Sequence, residues 1–344
     1  MLKKKLFCFF VIFYTITAVM VFSNGKQEED KGFNLAVVVP NVVAGSPLYE
    51  QMVAGAEQAI KEHPGSSMKV FELGFNQAEW GEKMTSIVAT GLYDAVITSN
   101  PSMPDICKSI AEQFPMQKFI FVDGYIDGHP QMASFLYNQY EQSYMLGHLS
   151  ALITKGDMPG SNADLKIGMI VAQEYPVLNK MILPGFKDGA KSVDPSITVD
   201  FRIIGNWYDA NKASELAGSM IDAGVDVIGV ICGGAAQGVF EECGKQGKYV
   251  VFWDDVSYSK APGVIVGSGA LYQNRLVYEV ITKAIENTLE YGKGQKLNVS
   301  DGYVGFVTED PDYISTVPEE IRIKQKALFE SIKSGETVLQ TPEL

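Results

Sequence analysis

The chain reads as an α/β protein made of two similar lobes, and three observations point there. Short apolar runs alternate with longer amphipathic stretches along most of its length, the rhythm of parallel strands covered by helices. Segments of the first half return in the second half at a nearly constant spacing. The length of 344 residues also suits roughly two domains, at about 150 residues each.

Taken in order, the first strand is expected at 35–39 (LAVVV), followed by an amphipathic helix at 48–63. A strand at 68–73 and a helix at 79–89 come next, then a strand at 95–98 and a helix at 104–114. The strand at 119–122 closes this series and runs directly into Asp123. A helix at 141–154 leads to the second series, with strands at 167–171, 197–204, 227–231 and 249–252. Helices at 177–192, 211–223 and 273–290 accompany them. The strand candidates are short and mostly apolar, whereas the helix candidates are long enough for three turns.

Laying the halves over each other sets LAVVV on IGMIV at an offset of 132, and DAVITSN on DVIGVIC again at 132. KFIFVDG falls on KYVVFWDD, so Asp123 lies over Asp254 at 131, and Gly55 lies over Gly185 at 130. Strand grammar alone gives some likeness between α/β segments, but four matches at almost one spacing indicate two related lobes.

Composition narrows the function. The chain is 46% apolar and 20% charged, values of a protein with a sizeable core. It carries 28 basic and 41 acidic residues, a net charge of −13. Proteins that track phosphate backbones need a basic footprint, so nucleic acid is not an expected partner. Cys8, Cys107, Cys232 and Cys243 form no CxxC pair, which argues against a disulfide framework or a zinc cluster. His63, His129 and His148 are the only histidines.

The N-terminus has the pattern of an export signal, expected over 1–23. Lys3, Lys4 and Lys5 precede an apolar run over 6–22, and Val21 and Ser23 suit cleavage near Ser23–Asn24. An uncleaved anchor is the competing reading, because such a run approaches the length of a membrane span. Residues 24–32 (NGKQEEDKG) read as a polar tether, and loss of the three lysines would move the charge to −16.

In open parallel lobes, ligands bind beyond the carboxyl ends of the strands. Asn41, Asn100, Asp123, Trp207, Tyr208, Gly233, Gly234 and Asp254 all follow strand candidates. Facing strand ends make a cleft that closes by hinge motion. Each signal has a plainer reading beside it. Trp207 and Tyr208 also suit the start of the following helix, and Trp253 and Asp254 alternate, so one of the two is buried. Trp80 lies on an amphipathic helix and reads first as packing. The glycine pair lacks a phosphate-loop pattern, and Asp254–Asp255 also suits helix capping. His148 reads as a packed histidine and Cys232 as a small hydrophobe.

Several segments carry a family resemblance: EQFPMQKFIFVDG, QYEQSYMLGHLSALI, PGFKDGAKSVDPSI, the long run from NWYDANKASELAG to GVFEEC, and VFWDD. They resemble type I periplasmic solute-binding proteins and, among these, the basic-membrane-protein group that serves purine nucleoside importers. Within that group a spirochaetal branch is more similar still, the riboflavin-binding receptors of Rfu-type importers. The resemblance implies two Rossmann-like lobes joined by a hinge, about 33–138 plus 257–295 and 139–256 plus 296–344. It implies that Asp254 holds a sugar or ribityl arm and that a ring stacks near Tyr208. It departs from the nucleoside receptors where Leu48 and Tyr49 replace Phe and Asn, and where Leu271, Tyr272 and Gln273 stand in place of a sugar-binding lysine.

The expected ligand is riboflavin, with a purine nucleoside as the alternative. Tyr49, Tyr175, Trp207 and Tyr208, with Trp80 and Trp253, offer faces to a flat ring at about 0.5–1.5 kcal/mol per pair beyond burial. Asn41, Asn100 and Asn138 both donate and accept, as a flavin imide edge requires. Asp123 and Asp254 accept from hydroxyls or a ring N–H, and Leu48, Gly234 and Gln273 complete the expected contacts. Riboflavin would be cargo, with no cofactor. The implied partners are an ABC permease and its ATPase subunits, the chain acting as a monomer in the periplasm. A nucleoside hydrolase is the rival of another class, but it would need clustered aspartates for a cation, and no GxSxG elbow is present either. A membrane-coupled sensor on the same fold is the third reading.

Overall fold

The computed structural model describes residues 32–343. The expected export signal and nearly all of the expected tether lie outside the described residues. The first series of elements comprises β1 (Asn34–Val39), α1 (Pro47–Glu62), β2 (Ser67–Glu72), α2 (Trp80–Val88), β3 (Ala95–Ser99), α3 (Met103–Gln113), β4 (Lys118–Val122) and β5 (Met132–Tyr137). The second comprises α4 (Gln139–Thr154), β6 (Lys166–Val171), α5 (Leu183–Val193), β7 (Thr198–Ile203), α6 (Ala210–Asp222), β8 (Val225–Ile231), α7 (Ala236–Lys245), β9 (Tyr249–Phe252) and β10 (Ile265–Leu271). The chain ends with α8 (Gln273–Ile285), β11 (Lys293–Leu297), β12 (Val304–Phe306), α9 (Pro311–Thr316) and α10 (Glu319–Lys333).

Two six-stranded sheets result, ordered β11-β5-β4-β3-β1-β2 and β12-β10-β9-β8-β6-β7. The orders correspond strand for strand, and every pairing is parallel except β10 with β12. Strand alternation explains the layering. Leu35, Val37 and Val39 of β1 face one core cluster, while Ala36 and Val38 face another under α2 and α3. Trp80, Met84, Ile87 and Val88 form the buried stripe of α2, so the packing reading of Trp80 is the one realised. Its indole N–H donates to the Gly74 carbonyl at 2.7 Å.

Each lobe is completed by a helix entering from the other lobe's sheet. α4 follows β5 but packs on α5, and α8 follows β10 but packs on α1. Both helix pairs cross closely at the matched glycines. A Cβ on Gly55 would lie 2.3 Å from the Asn274 carbonyl oxygen, and one on Gly185 would lie 2.5 Å from that of Tyr140. The repeated glycines are therefore contact points between helices.

One expected boundary is corrected. The expected division places residues 257–271 in the first lobe, yet β10 pairs with β9 and lies in the second sheet. The chain returns to the first lobe only at α8. β10 (IVGSGAL) gives a weak strand signal because Gly267 and Gly269 interrupt it. Both are required by packing: a Cβ on Gly267 would sit 2.5 Å from Leu149 Cδ2.

Candidate functional site

The site is built from backbone first. Among the described residues six non-glycine positions have positive φ, and four of them are Asn41 (136°), Asn100 (140°), Asp123 (56°) and Asp254 (74°). All four stand just beyond β1, β3, β4 and β9. Such conformations cost about 1–3 kcal/mol each and persist where surrounding structure fixes them, typically at ligand clamps. Local hydrogen bonds do the fixing here. The Asn41 side chain accepts from Val42 N–H at 3.0 Å, its carbonyl accepts from Gly74 N–H at 2.9 Å, and the Asn100 side chain accepts from Ser102 N–H at 2.9 Å.

The two aspartates come from different lobes and share one desolvated space. Burial pushes Asp123 well above the ordinary carboxylate range, and repulsion from Asp254 adds to this. Burial likewise pushes Asp254 up to about 7, opposed by a hydrogen bond from Gln142 and reinforced by neighbouring Asp255. Tyr49, Tyr137 and Tyr175 also have raised pKa values. Burial is the main cause in each, and Asp123 adds to all three. Tyr49, Tyr175 and both aspartates thus meet in one cluster. Among the described residues neither aspartate takes part in a salt bridge.

Three members of the cluster were not foreseen from sequence: Tyr137, Gln139 and Gln142. Gln139 Nε2 donates to Asp123 Oδ1 and Gln142 Nε2 to Asp254 Oδ1, each at 3.3 Å. Both belong to the first turn of α4, so one helix terminus reaches both carboxylates. The available signal was the buried polar sequence QYEQ opening a helix that otherwise reads as core.

Other expected contacts are placed elsewhere. Asn138 caps α4 and donates to Asn298 Oδ1 and Thr341 Oγ1, both at 2.9 Å. Gln273 donates to the Leu48 carbonyl at 2.6 Å and accepts from Tyr137 at 3.3 Å. These two residues follow strands, as a ligand contact would, but the strands are β5 and β10, after which the chain crosses between lobes. They are hinge staples with their hydrogen bonds already used. The third crossing is tied in as well, since Val299 N–H donates to Glu141 Oε2 at 2.7 Å.

Tyr208 is 71% exposed, and its backbone N–H turns back onto Asn206. Gly234 is also exposed. Trp207 is half-buried and packs over the turn at Gly233, where an added Cβ would lie 3.4 Å from its ring. Leu48 is half-buried against the core. Trp253 is buried, packs with its ring tilted against Phe186 at 5.6 Å between centroids and donates to Ser143 at 3.0 Å, so of the Trp253–Asp254 pair the tryptophan belongs to the core. His148 pairs with Gln325 at 2.8 Å, and Cys232 is buried.

Two lobes with corresponding sheets, three chain crossings and polar strand ends meeting between them define a type I solute-binding fold. The Bmp family model, ABC transporter substrate-binding protein PnrA-like, matches residues 33–337, and the chain belongs to that family. An ABC transporter solute-binding protein of Aeropyrum pernix has the same fold, with a TM-score of 0.73 at 18% identity over 91% of this chain and 94% of its own. A CD4+ T-cell-stimulating antigen of Listeria innocua is 25% identical over 225 residues, 64% of this chain. The chain spans 60% of that relative's length. The nucleoside-binding protein BmpA of Lactococcus lactis is 31% identical over 141 residues, 41% of this chain and 38% of its own.

Proposed function

We propose that the chain captures riboflavin in the interlobe cleft and passes it to an ABC permease at the cell surface. The observation that carries this reading is the pairing of Asp123 with Asp254 beside the half-buried Tyr49 and Tyr175, with no salt-bridge partner for either aspartate among the described residues. Two desolvated carboxyl groups with no neighbouring cation offer nothing to hold an anion, so the cleft suits a neutral ligand rich in donors. Tyrosine faces suit a flat ring. Riboflavin combines a ring imide N–H with a chain of hydroxyls. The asparagines held at the ends of β1 and β3 supply mixed donors and acceptors for the ring edge. Trp80 and Trp253 are buried and offer no face to a tricyclic ring, which leaves Tyr49, Tyr175 and Trp207.

A purine nucleoside is the second reading, favoured by the similarity to the nucleoside-binding protein BmpA of Lactococcus lactis. Visible absorption of protein purified from cells, followed by titration with riboflavin and with inosine, separates the two. Riboflavin binding with flavin-like absorbance supports the first reading. Binding of inosine with no response to riboflavin replaces it with the second.

A further inference from the structure

Gln142 is the cleft side chain whose hydrogen bonding the fold leaves unfinished. It is fully buried. Its Nε2 donates to Asp254 Oδ1 at 3.3 Å, while its Oε1 has no partner among the described residues. Buried acceptors are seldom left unmatched, because each forfeits its hydration. Most other unmatched buried side-chain atoms are hydroxyls, of Thr98, Thr154, Thr282 and Tyr313, and a hydroxyl rotates to suit its surroundings. The remaining one belongs to Asp226, in β8 near its amino end, away from the cleft. Reversing the Gln142 amide does not resolve the problem. It would turn Oε1 onto a carboxylate oxygen and leave two N–H groups unmatched instead.

The second sheet makes room for this side chain. A Cβ on Gly269 of β10 would stand 2.9 Å from Gln142 Cγ and 3.2 Å from Nε2. The glycine that hides β10 in the sequence is thus also what admits Gln142 beside Asp254. Only one oxygen of Asp254 receives the Gln142 amide, and among the described residues no side chain donates to the other.

We propose that Gln142 is a specificity-determining ligand contact, its Oε1 and the free carboxylate oxygen of Asp254 forming neighbouring acceptors for two adjacent donors such as a vicinal diol. The inference rests on the cleft reading above and goes further: it names Gln142, a residue to which the resemblance assigns no contact, as a partner of Asp254 in reading the hydroxylated arm of the ligand. Loss of one neutral hydrogen bond in such a place corresponds to about tenfold in affinity.

The test uses the full chain as parent, Gln142→Met and Asp254→Asn. Two probe pairs are titrated, riboflavin with lumiflavin, which lacks the ribityl arm, and inosine with 2′,3′-dideoxyinosine. Thermal melting of each variant confirms that it is folded. For whichever pair binds, Gln142→Met weakens the hydroxylated member about tenfold and leaves the member lacking the donors within about twofold. A role confined to supporting α4 against β10 would weaken both members alike. If Gln142→Met keeps the parent's ratio while Asp254→Asn loses affinity, Gln142 is only a packing residue and the cleft reading stands. If Asp254→Asn also binds like the parent, the cleft reading falls and this inference falls with it.

Discussion

The strand ends of the two lobes are related by the sequence repeat, yet they carry different chemistry. Beyond β1, β3 and β4 the first lobe places Asn41, Asn100 and Asp123, all three in the left-handed region. At the matching positions the second lobe has Gln173, Cys232 and Asp254, of which only Asp254 has positive φ. After Cys232 the left-handed step is taken by Gly233, at 56°, where it costs little. Strain is thus concentrated in the first lobe, which holds a rigid polar rim. The second lobe supplies one carboxylate, the Trp207 turn and the start of α4. Under the proposed function, the first lobe orients a ring, and the second closes over it and reads the rest of the ligand.

The largest expected effect on binding breaks the rim itself. Asp123→Ala removes a desolvated carboxyl acceptor and should cost about 2–3 kcal/mol of binding, against about 1.5–3 for Asp254→Ala. Calorimetric titration ranks the two, and an Asp254 loss well above the Asp123 loss would reverse the roles assigned to the lobes.

A second prediction uses pH. Asp254 titrates at about 7 in the fold against 3.8 ordinarily, so the fold binds an extra proton between those values. The stability from this site is full below 3.8 and is lost as pH rises through about 7. Asp254→Asn removes the dependence. Relative to the variant, the parent should lose about 2–4 kcal/mol from pH 4 to pH 8. Denaturant unfolding at both pH values measures the difference, and parallel behaviour of parent and variant would show that Asp254 is not desolvated.

Strain gives a smaller effect. Asn100→Gly should stabilise the unliganded chain by about 0.5–1 kcal/mol while weakening ligand binding, because glycine adopts the backbone freely but lacks the amide. A variant that is both less stable and unchanged in affinity would remove strain from the account of the first lobe. The smallest effect is at Tyr208, where exposure predicts a change within about 0.5 kcal/mol for alanine. Tyr49→Ala should cost clearly more, through lost burial and stacking.

Much of this arrangement was legible in the sequence because strand grammar is local. Apolar runs marked eight strands, and the constant offset placed Asp123 and Asp254 at equivalent positions before any coordinates. The rule that ligands sit beyond strand ends found all four strained residues. The same rule also selected Asn138 and Gln273, since a chain leaving a strand to cross a hinge looks, in sequence, like one leaving it to form a binding loop. Polar residues at the start of α4 were passed over because helix periodicity asks for an apolar face, and here almost the whole helix is buried between β10 and α5. Which of Trp80, Trp207 and Trp253 is left uncovered depends on which side of each element is packed against the rest of its own lobe. That is a tertiary fact, set by packing on Phe186, Gly74 and Gly233.

The most direct test of the central claim is titration of one ligand, riboflavin or inosine as the parent selects, against Asp123→Asn and Asp254→Asn side by side. If the two lobes close on the ligand through these carboxylates, each substitution weakens binding of the same ligand by at least about tenfold, with melting curves that show an intact fold. If either substitution leaves affinity unchanged, the ligand is not held between the paired aspartates and the site lies elsewhere.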